Sequence, residues 1–328
     1  MGEPLRVAVV GAHGIGKHHA KWLASIGCEV TAIYGTTAVS VEQAAAVLRD
    51  TASFRGRAFS DWRAFLQEGD FVAASVCSPA EAHYKNVLDL LRAGKHVLCE
   101  KPLVWDWRHT PERMVAAAWE MVATAAAGNR ILAVNAQYPA ALPAIQALRR
   151  ELKGKDTPFK RFDCLMETRG RPRSPHGAAE VWVDLGPHPL ACVYVLAGGG
   201  GIRWDTLSQC GKDLETEVRF LWEGPRGELP VTIVLRRITN ASPRRRFGEG
   251  EIEIDYEGRN QDGEFVAVLI ARGREWVTPD FMRVSLERFV EAVRTGDPAR
   301  AVVTGEAAAH QMEALVGVWA RCWSAVGR

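Results

Sequence analysis

Lys101 stands one residue beyond the short apolar stretch Val97-Leu98-Cys99, between Glu100 and Pro102. The stretch reads as a buried strand that delivers a Glu-Lys-Pro turn at its C-terminal end. In an open parallel sheet, ligands sit outside the carboxyl ends of the strands. A lysine placed there points an ammonium group into the crevice, where it would stabilise negative charge developing on an oxygen. A second candidate pair, Asp184 and His188, is spaced four residues apart, which places both on one face of a helix. Pro187 and Pro189 put that pair at a helix start. Histidine, with an unperturbed pKa of ~6.5, suits proton transfer near neutrality.

These side chains need elements to hold them. Leu5-Arg6-Val7-Ala8-Val9-Val10 is mostly apolar without clear alternation, which suits a parallel strand covered on both faces. Gly11-Ala12-His13-Gly14-Ile15-Gly16 follows, then a helical stretch to Ile26 closed by Gly27. Strand, glycine turn and helix in this order form the dinucleotide-binding arrangement. The pyrophosphate rests on the helix N-terminus, where free N–H groups and the dipole favour an anion. Gly11, Gly14, Ile15 and Gly16 are the candidate cradle. His13 stands where the second glycine of Gly-x-Gly-x-x-Gly is usual, so its side chain must turn aside or Gly14 must take over part of the role. His18 and His19 read as an exposed first-turn pair, and with no third ligand at metal spacing no metal site is expected.

The second strand, residues 30–34, ends in Gly35-Thr36-Thr37 rather than in the Asp or Glu that would bind a ribose 2′-hydroxyl. Without a carboxylate nothing there repels a 2′-phosphate, and the Gly35 N–H with the Thr36 and Thr37 hydroxyls would hydrogen-bond one. NADP is therefore the preferred cofactor and NAD the second choice. Ser40-Val41-Glu42-Gln43 reads as a capping box opening a helix to about Asp50, and Asp61 as the cap of a short helix. Residues 71–77 read as a buried strand. Ser78 and Pro79 then supply a cap and a first-turn proline for a helix to Gly94, with His83 in its first turn. Thr110-Pro111-Glu112 opens an alanine-rich helix ending at Gly128, and residues 130–135 read as the sixth strand. Strands alternating with helices imply a doubly wound parallel sheet.

From Tyr138 the pattern changes. A helix over residues 139–152 gives way to strand-like residues 159–168. A basic loop follows, containing Arg169, Arg171 and Arg173, and then the Asp184–His188 segment. Strand-like runs cover residues 202–210, 216–222, 230–238, 251–255 and 265–270 without intervening helices. Helices over residues 281–295 and 305–322 close the chain. The expected fold is α/β: an N-terminal Rossmann domain with a doubly wound parallel sheet, residues 1–135. Residues 136–328 form a C-terminal α+β domain with an open, largely antiparallel sheet.

The stretch Gly94-Lys95-His96-Val97-Leu98-Cys99-Glu100-Lys101-Pro102 resembles the signature of the Gfo/Idh/MocA family, the glucose-fructose oxidoreductase and inositol dehydrogenase relatives. Lys17-His18-His19-Ala20, Ser78-Pro79 followed by His83, and Asp184-Leu185-Gly186-Pro187-His188 resemble its other motifs. The resemblance implies an NAD(P)-dependent oxidoreductase acting on a sugar, cyclitol or sugar-like alcohol. It sets Glu100 and Lys101 beside the nicotinamide, with Lys101 also facing substrate. It places Ser78, Pro79 and His83 along the nicotinamide ribose, and makes His188 the general acid or base with Asp184 beside it. Tyr138, Arg169 and Trp182 are candidates for substrate contact. Ala191 stands where the family often has an aspartate. Two other readings of the same fold are a cofactor-dependent glycosidase and a non-catalytic dinucleotide-sensing regulator.

The 328 residues are 47% hydrophobic and 24% charged, enough to bury a large core without disulfides or metals. A net charge of +2 gives no reason to expect nucleic acid or an anionic membrane surface. No apolar run reaches the ~18 residues needed to cross a bilayer. Seven scattered cysteines, none in Cys-x-x-Cys, read as buried thiols of a reducing cytosol. The expected partner is a small-molecule substrate, with a homodimer or homotetramer formed through the C-terminal sheet.

Overall fold

A computed structural model describes residues 3–170 and 175–323. The chain divides into two units, Met1–Asn135 with Ser285–Ala309 and Ala136–Val284 with His310–Arg328. Residues 285–309, expected in the second domain, thus pack in the first unit. Val134 N donates to Val303 O at 3.0 Å, and Thr304 bridges to Ala133.

The first unit alternates strand and helix: β1 (Leu5–Val10), α1 (Ile15–Ser25), β2 (Cys28–Tyr34), α2 (Ala38–Ala52), β3 (Arg57–Phe59), α3 (Trp62–Glu68), β4 (Ala73–Val76), α4 (Ala80–Arg92), β5 (His96–Glu100), α5 (Pro111–Ala127) and β6 (Leu132–Asn135). The strands form a wholly parallel sheet in the order β3-β2-β1-β4-β5-β6. β4 and β6 are buried throughout, as strands covered on both faces must be. The order reverses between β1 and β4, so the carboxyl ends of these two strands flank the switch point where such sheets hold ligands.

Local chemistry sets the helix starts. Asp61 caps α3 by accepting from Ala64 N at 2.7 Å, and Thr110 caps α5 ahead of Pro111. The capping box read at Ser40 is corrected. α2 begins at Ala38, and Thr37 is its cap, accepting from Ser40 N at 3.1 Å. The Ser78 cap is corrected as well: Pro79 occupies the cap position of α4 and no side chain caps it. β3 had no readable signal, because three residues are too few to show a period.

The second unit opens with a 3-10 turn (Tyr138–Ala141) and continues α6 (Leu142–Lys153), β7 (Phe162–Arg169), α7 (Ala178–Leu185) and α8 (Pro187–Ala197). Then come β8 (Gly201–Cys210), β9 (Glu215–Gly224), β10 (Gly227–Ile238), β11 (Arg245–Glu249), β12 (Ile252–Gln261), β13 (Glu264–Ala271) and β14 (Arg274–Pro279). They form an eight-stranded sheet ordered β14-β13-β12-β11-β7-β10-β9-β8, antiparallel except for β7 beside β10. β11 and β14 escaped the sequence reading. Arg245-Arg246 and the charged Arg274-Glu275 start look like loop. α9 (Phe281–Thr295) and α10 (Gly305–Cys322) follow, and each passes from one unit to the other along its length.

Candidate functional site

The glycine turn is fixed by close backbone approach. Gly11 has φ +81°, and a Cβ there would stand 2.9 Å from the backbone of Cys77 and Ser78. At Gly16 a Cβ would stand 2.0 Å from the Gly11 carbonyl oxygen. Only glycine satisfies both. Gly14 differs: it caps α1 at φ +50°, and a Cβ there would meet nothing within 4 Å. The space in front of the helix is open. α1 starts at Ile15 with no side-chain cap and no acidic residue in its first turn; the Gly16 N–H turns back to His13 O at 2.8 Å, and the helix dipole still favours an anion in front of that end. His13 does turn aside, its Nε2 lying 2.7 Å from Ser40 O in α2.

Beyond β2, Gly35 N donates to Phe59 O at 3.1 Å and so is not offered to a phosphate. Thr37 is likewise engaged, as cap of α2 and as donor to Ser40 Oγ at 2.9 Å. Thr36 is exposed. Of the three groups assigned to a 2′-phosphate, Thr36 alone keeps its polar atoms clear of these contacts. α2 has no acidic residue in its first turn, so its own N-terminus adds a second region of positive dipole.

At the carboxyl ends of β4, β5 and β6 a closed polar cluster lies under Lys101. Glu100, the last residue of β5, is only 8% exposed. Its Oε1 accepts from His19 Nε2 at 2.9 Å and from Asn135 Nδ2 at 2.6 Å. Its Oε2 accepts from Lys101 N at 3.3 Å. His19 Nδ1 lies 2.8 Å from Ser75 Oγ, which in turn lies 3.5 Å from Cys77 Sγ. Burial alone would raise the Glu100 pKa, but the His19 hydrogen bond and charge, then Lys101 and Asn135, lower it to about 2. Burial likewise disfavours the His19 imidazolium, yet the Cys77 sulfur and the Glu100 carboxylate raise its pKa to about 10. The pair is ionised. Lys101 itself is half-buried at the strand end.

His19 corrects the sequence reading, for it is completely buried while His18 is exposed. The signal was present: Gly16, His19, Ala20 and Leu23 are the buried stripe of α1, at i, i+3, i+4 and i+7. His83, expected along the nicotinamide ribose, is 1% exposed, and burial lowers its pKa. Its two ring nitrogens lie 2.8 Å from Pro102 O and 2.8 Å from Ser78 O. It braces the turn after β5 against the turn after β4. Ser78 Oγ accepts from Asn86 Nδ2 at 3.0 Å.

These residues fit a dinucleotide. The open space before α1, the uncapped helix end and the absence of any carboxylate beside Thr36 suit a diphosphate. Asn135 Oδ1, at the end of β6, is buried without a hydrogen-bond partner among the described residues, an acceptor placed for a ligand donor. A separate cavity between α4 and α5, lined by Tyr84, Asp106, His109, Arg113 and Glu120 among others, contains none of the predicted site residues.

In the second unit, Asp184 ends α7 and His188 starts α8, with Gly186 in right-handed helical geometry between them. The two are on successive helices rather than within one, because Pro187 has no N–H to continue the ladder. His188 is 8% exposed, and the Tyr138 ring meets it edge-on at 4.9 Å. Asp184 Oδ2 accepts from Arg237 Nη2 at 3.0 Å, and Arg237 also pairs with Glu180. Arg237 is a site residue that sequence reading missed. Its signal was strand parity, since Leu229, Val231, Ile233, Leu235 and Arg237 alternate on the covered face of β10.

The substrate candidates are corrected in part. Trp182 is 0% exposed and its Nε1 donates to Leu315 O at 2.9 Å, so it is core. Tyr138 is 3% exposed within a cluster of Phe247, Tyr256 and Phe281. It supports the His188 ring from inside the unit. Arg169 is exposed at the end of β7, with Nε donating to Ala241 O at 3.3 Å. Arg171 and Arg173 lie outside the described residues.

Comparison with known proteins agrees with this geometry. The Gfo/Idh/MocA model, an oxidoreductase family with an NAD-binding Rossmann fold, matches residues 5–136. Inositol 2-dehydrogenase of Pseudomonas syringae pv. syringae is 33% identical over 123 residues, 36% of this chain and 35% of that protein. The match thus spans about a third of the relative's length. The fold extends further. UDP-N-acetylglucosamine 3-dehydrogenase from Acidithiobacillus ferrooxidans superposes with a TM-score of 0.72 at 21% identity, covering 96% of each chain. A variant 3-ketoreductase from Actinomadura kijaniata, in complex with TDP-benzene and NADP, gives 0.69 at 20% identity over 97% of each.

Proposed function

From a first unit whose Gfo/Idh/MocA resemblance is borne out over residues 5–136, we propose that the protein is an NAD(P)-dependent dehydrogenase or reductase. Its substrate is a sugar, cyclitol or sugar-like alcohol or the matching carbonyl. The single observation that carries this reading is the open, uncapped N-terminus of α1 beside a strand end that carries Lys101. The nicotinamide, when bound, supplies the hydride acceptor or donor. This chain's residues do the rest. In the oxidative direction His188 accepts the hydroxyl proton as the carbinol C–H bond breaks, and Lys101 stabilises negative charge that develops on the substrate. Asp184, held by Arg237, orients His188 or takes a substrate hydroxyl. In reduction the same imidazolium returns the proton.

NADP is preferred over NAD in this reading, because no carboxylate stands beside Thr36 to repel a 2′-phosphate. Two first-turn dipoles favour the added charge. Association as a homodimer or homotetramer belongs to the same proposal. Its support is the half-exposed pair Leu165 and Val234, which lie side by side on β7 and β10 on the sheet face opposite the buried one.

The test is a polyol and sugar screen with NADP and NAD, followed by Lys101→Ala. Net reduced cofactor from one class, abolished in the variant, supports the dehydrogenase. Tightly retained cofactor with glycoside cleavage and no net reduction would replace it with the glycosidase reading. Binding without turnover on any substrate would favour a sensor.

A further inference from the structure

We propose that the buried His19–Glu100 ion pair is a positioning device for Lys101, tying the helix that takes the cofactor phosphates to the strand end that carries the lysine. The proposal rests on the assignment of Lys101 to the reaction.

Four observations point to it. His19 lies on α1 one turn past Ile15, where the helix begins, so any tilt of the helix moves the imidazole. Glu100 precedes Lys101 directly, and its two carboxylate oxygens are divided between the two tasks. Oε1 takes His19 Nε2 and Asn135 Nδ2, and Oε2 takes the Lys101 main-chain N–H. Asn135 Nδ2 and His19 Nε2 are 3.1 Å apart, two donors sharing one oxygen, so Oε1 carries concentrated negative charge. Finally, the far ring nitrogen is fixed on Ser75 Oγ of β4. The imidazole therefore crosses from α1 past β4 to β5 and cannot rotate. A buried pair this well satisfied is costly to break from one side, because the remaining charge is left uncompensated.

Among the described residues, the groups set against Glu100 are His19 from α1, Asn135 from β6, Cys99 on its own strand, Lys101 just past the end of that strand and His83 from α4. With His19 removed, burial acts on Glu100 without its main opponent, and the carboxyl pKa must rise. Below that pKa Glu100 is neutral and loses its hold on the turn.

Two measurements test this. In the apoprotein, side-chain NMR should show the His19 ring, assigned through its contacts with Ser75 and Asn135, as an imidazolium from about pH 6 to about pH 9, where a free histidine has lost its proton. In the holoenzyme, His19→Gln should bind NADPH nearly as well as wild type but gain a second acidic limb in kcat, added to the one that His188 gives wild type in the oxidative direction. At the foot of that limb turnover should fall by about 10²-fold, the scale of a 1 Å misplacement. Glu100→Gln should be low at every pH with no second limb, and the double variant should match it. A merely structural loss would lower His19→Gln equally at all pH values. A His19 ring that titrates at or below the ordinary histidine range, or parallel wild-type and His19→Gln profiles, overturns the proposal. If His19→Gln fails to fold, the wild-type titration and Glu100→Gln still decide it. Undiminished turnover in Lys101→Ala would instead remove the catalytic reading and leave the NMR result standing.

Discussion

In the first unit His19 and Glu100 cancel each other inside the protein, whereas in the second Arg237 faces two carboxylates, Glu180 and Asp184. The first cluster is closed. Its side chains are 0% and 11% exposed, and what it exports is position. In the second, two carboxylates converge on one guanidinium, and the Asp184 side chain is 30% exposed.

The largest effect that would sharpen this contrast is at His188. His188→Ala should lower kcat by about 10²–10⁴-fold, the usual contribution of proton transfer, with NADPH affinity unchanged in a fluorescence titration. Combined with Lys101→Ala the losses should not add if, as proposed, both residues serve the same reaction. Additive losses would separate the two residues into independent roles.

Next in size is Arg237. Arg237→Met removes the buried guanidinium that Glu180 and Asp184 share and should cost about 3 kcal/mol in urea unfolding, within the range for breaking a buried pair from one side. Arg237→Lys should recover only part of it, because one ammonium cannot reach two carboxylates as a planar fork does. A silent Arg237→Met would show that the second cluster is solvated and that the contrast with the first is not real.

The pH dependence of stability probes the closed pair. Glu100 is lowered from 4.5 to about 2, so its contribution is complete above 4.5 and is lost as pH falls toward 2. His19 is raised from 6.5 to about 10, so its contribution is complete below 6.5 and is lost as pH rises through 10. The melting temperature of wild type minus that of the His19→Gln, Glu100→Gln double variant should be greatest between about pH 4.5 and 6.5 and shrink on both sides. A difference that stays the same from about pH 2 to about pH 10 would mean that the pair is neutral.

The smallest effects concern the cofactor end. Thr36→Asp should move preference from NADPH toward NADH, and a tighter NADPH complex in that variant would overturn the phosphate assignment. His13→Gly should leave binding intact, since the ring is occupied with Ser40 O. Gly16→Ala is the exception to these small effects and should abolish binding, because the added carbon meets the Gly11 carbonyl oxygen.

The sequence by itself determined whatever depends on near neighbours. The first strand and its glycine turn, the caps at Asp61 and Thr110, the last two helices and the Glu-Lys-Pro strand end were all legible, because period, cap and turn are local properties. Strand parity already placed Arg237 inward, and helical period already placed His19 on the buried stripe of α1. What neither period could supply was the partner. His19 is 81 residues from Glu100, and Arg237 is 53 from Asp184. Whether an inward-facing charge is a misfit or half of an ion pair depends on which distant strand lies beneath it. The tertiary structure also placed Trp182 and Tyr138 in the protein interior, since an aromatic ring reads alike in sequence whether it faces a crevice or a core. It is the packing of α7, α8 and α10 that gives the Trp182 indole a carbonyl inside the protein.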